Sequence, residues 1–397
     1  MGPMKLALLG TDDRIDQVAA AALQAGHEVV AAADLPGGGP WRPIVPWQDL
    51  LDAAVCDAVL VGRRSWTEVR AEAVRALVQA GRPLLVSHPA ELSMLWAWEL
   101  EMIRQDAGGP LVPLLPERLH PFVQRLRTTL EAALAGASPL GTVESLVFER
   151  RRAERHRDRV LTWLARDADL VRAIVGEPAR IAALGVAPDA EPTAWNSLTV
   201  GLTSPTSVPV RWQVTGGGEG RLELTLHCEL GRIELMIPDD WSRPWRWTDS
   251  DRPAEECSFD LAAAMLPSLT VLPGRPEDTA AEAVAPARWA DAARAIEVAE
   301  AVPRSLAKGR AVDLHQEEFS ELGTFRGTMA SAGCGLILLA LGLLLVATLV
   351  GGIAHEFGWD QGGRIAGAWP VVVLVALGGF LVLQLLPLLV TAGRRHE

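Results

Sequence analysis

The chain has 397 residues, which is long enough for two domains with separate hydrophobic cores. Its formal net charge of −12 excludes the basic surface that a nucleic-acid-binding protein needs. Tyrosine is absent, which excludes dehydrogenases whose proton donor is a tyrosine. The 4 cysteines are scattered, with no Cys-x-x-Cys pair and no histidine cluster beside them, so the sequence predicts neither a metal site nor a disulfide framework.

Residues 1–135 alternate short apolar runs with segments of helical periodicity, which predicts a doubly wound parallel sheet, Rossmann-like in pattern. The first run ends at Gly10, where a phosphate-binding turn of the form G-x-G-x-x-G would begin. Asp12 and Ile15 stand in place of its second and third glycines, and the carboxylate of Asp12 would repel a pyrophosphate. Asp34 ends the second strand, where an acidic side chain would hold ribose hydroxyls. A turn or helix-cap role explains it equally well.

Residues 136–314 contain six strand-like runs, several joined by Gly-rich turns, which predicts an α/β domain with a mostly antiparallel sheet. One helix, over about 159–175, interrupts the strands, and an amphipathic helix with Gly309 as its C-cap closes this part. The segment Glu149–Arg159 holds 6 arginines. It could bind a carboxylate or phosphate, meet anionic lipid headgroups, or be solvated with internal Glu–Arg pairs.

The C-terminal part of the chain contains two long apolar runs without charged side chains. Each exceeds the roughly 20 residues that a helix needs to cross a bilayer. The expected order is a linker over 315–328, a transmembrane helix over 329–354, a loop over 355–364 and a second transmembrane helix over 365–393. Arg326 precedes the first run and Arg394 follows the second, which places both termini on the inside. The sequence therefore predicts anchorage in the lipid bilayer of the cell (inner) membrane, with cytoplasmic soluble domains.

Three sequence segments, in this order along the chain, are similar to those of a known family. They are "ALVQAGRPLLVSHPAELS", "DADLVRAIVGEPARIAALG" and "ARAIEVAEAVPRSLAKGRAVDL". Together they resemble the glucose–fructose oxidoreductase / inositol dehydrogenase (Gfo/Idh/MocA) family over roughly residues 4–314. The resemblance implies a Rossmann domain that binds NAD or NADP, and a second domain whose large sheet backs the substrate and often mediates homo-oligomers. It also implies alcohol–ketone interconversion on sugar-like substrates, with hydride transfer to the nicotinamide.

The resemblance also implies which residues of this chain stand at the positions of the family's proton-transfer residues. Its Glu-Lys-Pro turn falls on Ser87-His88-Pro89, its catalytic Asp falls on Thr162 and its catalytic His on Arg166. Neither a threonine nor an arginine exchanges a proton near neutral pH. His88 titrates in that range, yet no aspartate is placed to orient its ring, so a structural histidine at a strand end is the competing explanation.

Two functions therefore remain open from the sequence. In the first, the chain is a membrane-anchored pseudoenzyme, a binding or scaffold protein with degenerate cofactor and catalytic motifs. In the second, it is an active NAD(P)-dependent oxidoreductase on a sugar- or polyol-like substrate, with rearranged catalytic residues. The candidate cofactor-binding residues are Gly10, Asp34 and Pro89, and the candidate ligand is a sugar-like or anionic small molecule.

Overall fold

A computed structural model describes residues 2–35, 40–185, 195, 197–250, 252–269 and 285–314, with isolated helical positions at 342, 345, 346, 349, 353 and 356. The chain divides into two units, Met1–His315 and Gln316–Glu397. The elements below belong to the first unit.

A parallel sheet forms the first part of this unit. Its strands are Lys5–Leu9 (β1), Glu28–Ala33 (β2), Ala58–Val61 (β3), Leu84–Ser87 (β4) and Leu111–Leu114 (β5). Their order is β2-β1-β3-β4-β5, and every pair is parallel. The last three strands are buried along their whole length, as expected for a sheet covered on both faces. The predicted doubly wound sheet is therefore confirmed.

The second sheet is larger and mostly antiparallel, as the sequence predicts. Its strands are Val143–Arg151 (β6), Arg180–Gly185 (β7), Leu198–Thr203 (β8), Pro209–Thr215 (β9), Arg221–Cys228 (β10), Gly231–Pro238 (β11), Trp245–Asp249 (β12), Arg252–Cys257 (β13) and Val312–Asp313 (β14). Their order is β13-β12-β11-β10-β6-β9-β8-β7-β14. Among the described strands of this sheet, only β6 and β9 pair in parallel. Side chains of β10 alternate between buried and half-buried, as a strand with one covered face requires.

The helices connect the strands and cover the sheets. They are Asp13–Gln24 (α1), Glu68–Gln79 (α2), Met94–Ala107 (α3), Pro121–Leu134 (α4), Arg157–Val175 (α5), Leu261–Met265 (α6) and Trp289–Lys308 (α7). The predicted helix over 159–175 is α5. Gly309 ends α7 in the left-handed conformation with φ 59°, which confirms it as the C-cap.

The strand order reverses between β1 and β3, and this reversal positions the candidate site. In open α/β sheets, ligands bind beyond the carboxyl ends of the strands at such a switch point. Gly10 follows β1, Gly62 follows β3 and Ser87 ends β4, so all three lie at this edge.

Helix α5 is held against the second sheet by buried ion pairs. Asp167 accepts two hydrogen bonds from Arg150 of β6 and one, of 2.8 Å, from Nε1 of Trp212 of β9. Two residues further along α5, the carboxylate of Asp169 lies 2.9 Å from the guanidinium of Arg118. Because each carboxylate is almost fully buried, loss of its partner would leave an uncompensated charge.

None of the helices that the structure describes is both long and apolar enough to cross a membrane. The predicted linker, both predicted spans and their loop lie outside the described residues, apart from the six isolated positions. The division at residue 135 and the membrane segments therefore stay predictions.

Asp169 makes the stability of the fold depend on pH. Burial raises the pKa of its carboxyl from 3.8 to about 6, against the opposing charges of Arg118 and Arg172. A carboxyl whose pKa is higher in the folded than in the unfolded protein stabilises the fold fully at pH values below its unfolded-state pKa. This stabilisation is lost as the pH rises through about 6. The uncharged variant Asp169→Asn loses the pairing with Arg118 at every pH but lacks this titration, so its stability relative to that of the wild type should rise by up to roughly 3 kcal/mol between about pH 4 and 7. Chemical denaturation followed by tryptophan fluorescence across this range measures the difference.

The neighbouring Asp291 supplies a control of opposite sign. Although burial raises its pKa, the charges of Arg172 and Arg118 outweigh burial and hold the pKa below its ordinary value. Its contribution is therefore present at neutral pH and lost as pH falls, so Asp291→Asn should destabilise the protein most at pH 7. If both variants shift stability equally at every pH, the assignment of Asp169 is wrong.

Candidate functional site

The carboxylate of Asp12 occupies the N-terminus of α1. One oxygen, Oδ1, accepts from the backbone N–H groups of Arg14, at 3.0 Å, and Ile15, at 3.1 Å. The other, Oδ2, accepts from the backbone N–H of Arg63, at 2.8 Å, and from Oγ of Ser87, at 2.6 Å. A helix N-terminus at a strand switch point is where a dinucleotide places its pyrophosphate. In this chain those donors are already bonded to an internal carboxylate.

Asp12 is an anion at neutral pH. Burial raises its pKa, but the hydrogen bonds from Ser87, Arg63 and Ile15 and the charge of Arg166 together hold it below its ordinary value. A phosphate that approached this helix terminus would meet a negative charge, and the N–H groups of Arg14 and Ile15 are already bonded to that charge. The sequence predicts the repulsion, and the structure adds that these two donors are engaged.

The guanidinium of Arg70 lies beside this helix terminus and binds Asp34. Its Nε donates to Oδ2 of Asp34 at 2.6 Å, and Nη2 donates to the backbone oxygen of Asp34 at 3.1 Å. Nη1 donates to the backbone oxygens of Gly62, at 2.9 Å, and Arg64, at 2.8 Å. Arg70 is 1% exposed, so this guanidinium is buried, and each of its three nitrogens donates at least one hydrogen bond. The acidic group that could hold ribose hydroxyls is therefore engaged by the chain itself.

Gly10 is needed for the approach of Arg70. It has φ +67°, and a Cβ added there would collide with the Arg70 guanidinium. Glycine accepts both the left-handed backbone and the close approach because it has no side chain. The open space over Gly10, which would allow a phosphate to approach, is filled by the side chain of Arg70.

The three candidate catalytic residues lie close together. Nε of Arg166 donates to the backbone oxygen of His88 at 2.9 Å. Oγ1 of Thr162, one turn earlier on α5, donates to the backbone oxygen of Asp158 at 2.8 Å and accepts from Arg63 at 3.3 Å. The structure thus brings together the positions that the resemblance implies, and two of the three side chains, Thr162 and Arg166, are of types that do not act as a base near neutral pH.

His88 is a poor proton acceptor in this environment. It is 3% exposed, and burial together with the charges of Arg166, Arg63 and Arg14 lowers its pKa to about 3. Its Nε2 has no hydrogen-bond partner among the described residues. Pro89 follows it through a cis peptide bond. Because none of the carboxylates in the described part of the chain bonds to the ring, and the ring stays neutral, His88 has the features of a structural histidine.

Arg70 is the important residue that the sequence analysis missed. It lies on the buried face of α2 with Ala73, Val74 and Leu77. An arginine at an apolar helix position is a signal of a specific buried anion partner, because unpaired buried charges are costly. Ser87 gave no such signal, since its role depends on Asp12, 75 residues away.

The arginine-rich segment Glu149–Arg159 is partly buried and internally paired. Arg150 binds Asp167 and Asp239, and Arg152 also binds Asp239. The structure therefore uses two of these arginines in ion pairs at the end of β6. Arg151 pairs with Glu149 and Glu223, so internal Glu–Arg pairing is present as well.

Comparison with solved structures identifies the fold. No protein-family model and no curated protein matches the chain. A levoglucosan dehydrogenase in complex with NADH and levoglucosan has a TM-score of 0.61 at 14% identity, with 79% of this chain and 100% of that chain covered. A myo-inositol dehydrogenase from Corynebacterium glutamicum gives 0.56 at 17% identity, covering 79% and 99%. An oxidoreductase from Agrobacterium radiobacter, in complex with NAD+, L-tartaric acid and magnesium, gives 0.58 at 15%, covering 79% and 99%.

The chain has the fold of the Gfo/Idh/MocA-type oxidoreductases. At these identities the likeness shows the fold alone. The resemblance predicted from the three sequence phrases is thus confirmed at the level of architecture.

The steric clash that a Cβ at Gly10 would make with Arg70 can be tested by measuring stability. Gly10→Ala should cost about 3 kcal/mol or more, because it displaces the buried Arg70 from its ion pair. Gly26 also has a positive φ, of +86°, but a Cβ there would meet nothing within 4 Å. The control Gly26→Ala should therefore cost only about 1 kcal/mol of backbone strain. Equal losses in denaturant unfolding would show that Arg70 does not fill the space over Gly10.

Proposed function

We propose that this chain is a membrane-anchored pseudoenzyme: a binding or scaffold protein that keeps an oxidoreductase fold without nicotinamide-dependent catalysis. The observation that carries the proposal is the carboxylate of Asp12, which accepts four hydrogen bonds at the N-terminus of α1. The residues around it do not fit a dinucleotide.

The misfit concerns two parts of the cofactor. Asp12 takes the position and donors that a pyrophosphate would need. Arg70 forms an ion pair with the carboxylate of Asp34, and its guanidinium lies over Gly10. Both contacts are on the side where an adenosine ribose would bind. Binding would have to break a buried ion pair and displace a charged helix cap, each worth on the order of kcal/mol.

Loss of proton transfer supports the same proposal. Hydride transfer to a nicotinamide from an alcohol requires a group that accepts the hydroxyl proton. Thr162 and Arg166 cannot do so near neutral pH, and the pKa of His88 is lowered to about 3.

Membrane anchorage is the second part of the proposal. It rests on the uncharged apolar runs over 329–354 and 365–393, and on the arginines that flank them. The described positions Leu345, Val346, Leu349 and Ile353 are helical and between 55% and 65% exposed. Exposed apolar side chains at these helical positions support contact with lipid. The flanking charges favour the cell (inner) membrane with both termini and the soluble domains in the cytoplasm.

An active oxidoreductase on a sugar- or polyol-like substrate is the alternative. It is favoured by the shared fold with a levoglucosan dehydrogenase whose structure contains NADH. It requires that NAD or NADP binds in a different manner from that which Gly10, Asp34 and Pro89 would provide.

Titration of the full chain with NADH tests the proposal. The chain contains 14 tryptophans, so bound NADH would accept their fluorescence energy. The detergent-solubilised protein should show no saturable transfer up to millimolar NADH, whereas a dinucleotide-binding dehydrogenase measured in parallel should. A micromolar dissociation constant that Asp34→Asn weakens would overturn the pseudoenzyme and support the alternative.

Reporter fusions test the anchor separately. A reporter that is active only outside the cytoplasm, inserted in the loop over 356–363, should be active, and the same reporter at the C-terminus should be silent. Activity at the C-terminus, or silence at both sites with full-length protein present, would contradict the proposed topology.

A further inference from the structure

A cleft lies between the helices α3, α5 and α7. Its volume is about 590 Å³, and small-molecule sites in proteins commonly have volumes of about 300–1,000 Å³. It is separate from the candidate site described above, because His88, Thr162 and Arg166 are not among the described residues that line it. Clefts between packed helices are a usual location for ligand sites. The size and the position of this cleft therefore suit a small organic molecule.

Apolar side chains form most of the wall of the cleft. Leu95 of α3 is 80% exposed, and Trp98, one turn further along α3, lines the same cleft. The large apolar side chains of the lining are Leu92, Met94, Leu95, Trp98, Leu161 and Pro303. A ligand with an apolar body would remove this surface from water, which is favourable.

Among the charged groups of the lining, the acidic ones are in excess. The three carboxylates are those of Asp158, Glu297 and Glu300, and the two guanidinium groups are those of Arg157 and Arg304. The guanidinium of Arg157 lies over the ring of Trp195, 5.7 Å from its centroid, and Arg304 is exposed to water. A cationic ligand therefore complements this lining better than an anionic one does.

Glu300 is the carboxylate of the cleft with the most unused bonding capacity. It is half-buried, and its Oε1 accepts from the backbone N–H of Met94 at 2.9 Å, at the first residue of α3. Within the described part of the chain it has no other hydrogen bond and no ion pair within 4.0 Å. Glu297, by contrast, pairs with Arg294 at 3.3 Å. Since a carboxylate can accept about four hydrogen bonds, Glu300 can bind a cation without losing its bond to α3.

We propose that this cleft binds an organic amine, a molecule with an apolar body and one ammonium group, and that Glu300 is the partner of the ammonium. Hydrogen bonds between an ammonium and a carboxylate are stronger than those between neutral groups. The aromatic ring of Trp98 adds a surface that attracts cations. The apolar walls favour an organic cation over a hydrated metal ion. This inference goes beyond the proposed function, because the cleft lies outside the candidate site.

Three probes of similar size test the charge of the ligand. They are phenylbutylamine, phenylbutanol and phenylbutanoate, each with the phenyl group at the end of the butyl chain. Calorimetry on the full chain in detergent, with the heat of dilution into detergent alone subtracted, measures their affinities. We expect saturable binding of the amine and about tenfold or more weaker binding of the other two. Absence of amine binding, or equal affinity for the amine and either other probe, would overturn the proposal.

The variant Glu300→Gln locates the ammonium group. Glutamine keeps an oxygen for the N–H of Met94 but removes the charge, so the affinity for phenylbutylamine should fall about tenfold while that for phenylbutanol stays unchanged. Glu131→Gln is the matched control, because Glu131 is exposed on α4, where it pairs with Arg127. Equal amine affinities in the two variants would refute the site.

Leu95 tests the same location from the other side of the charge balance. Because its side chain is 80% exposed, a charged residue there leaves the core undisturbed. Leu95→Lys should weaken amine binding and Leu95→Glu should strengthen it, each by roughly threefold. Changes of the same sign in both variants, or no change in either, would show that the amine binds elsewhere.

Thermal unfolding separates ligand binding from a structural role of Glu300. Saturating phenylbutylamine should raise the melting temperature of the wild type and of Glu131→Gln, but that of Glu300→Gln much less. An equal rise in all three proteins would contradict the role of Glu300. The NADH titration is independent of this site: NADH binding would overturn the proposed function and leave the amine site standing. Absence of amine binding would overturn the amine site alone.

Discussion

The first turn of a helix leaves backbone N–H groups without partners, and the architecture of this site follows from how α1 satisfies them. Asp12 supplies the acceptor from within the chain, and the same carboxylate accepts from the loop after β3 and from the end of β4. It thus joins three elements at the strand switch point. An external phosphate would have to compete with a group that is covalently held in place, which is a large entropic disadvantage.

The motif "DADLVR" on α5 shows which features of the resemblance persist. Asp167, Asp169 and Arg172 are present and form buried ion pairs with the second sheet, with Arg118 and with Asp291. These residues hold helix against sheet, and their loss would leave uncompensated buried charges. Thr162 and Arg166, to which the resemblance assigns the positions of proton transfer, form no ion pair among the described residues. The shared fold therefore does not by itself imply a shared chemistry.

The sequence by itself determined a parallel and a mostly antiparallel sheet, six of the nine strands of the second sheet, α5, and the C-cap of α7, because alternation, helical period and glycine conformation are local properties. It did not predict β12, β13 and β14, which form the two edges of that sheet. It also singled out Asp12, Asp34, His88, Thr162 and Arg166 as positions of interest. Only the tertiary structure decided what these side chains do. Arg70 binds Asp34 across 36 residues and Ser87 binds Asp12 across 75, so no local sequence pattern could show that these groups at the strand switch point bond to one another. Burial and the charges of arginines distant in sequence, which come close only after folding, lower the pKa of His88 and keep its ring neutral.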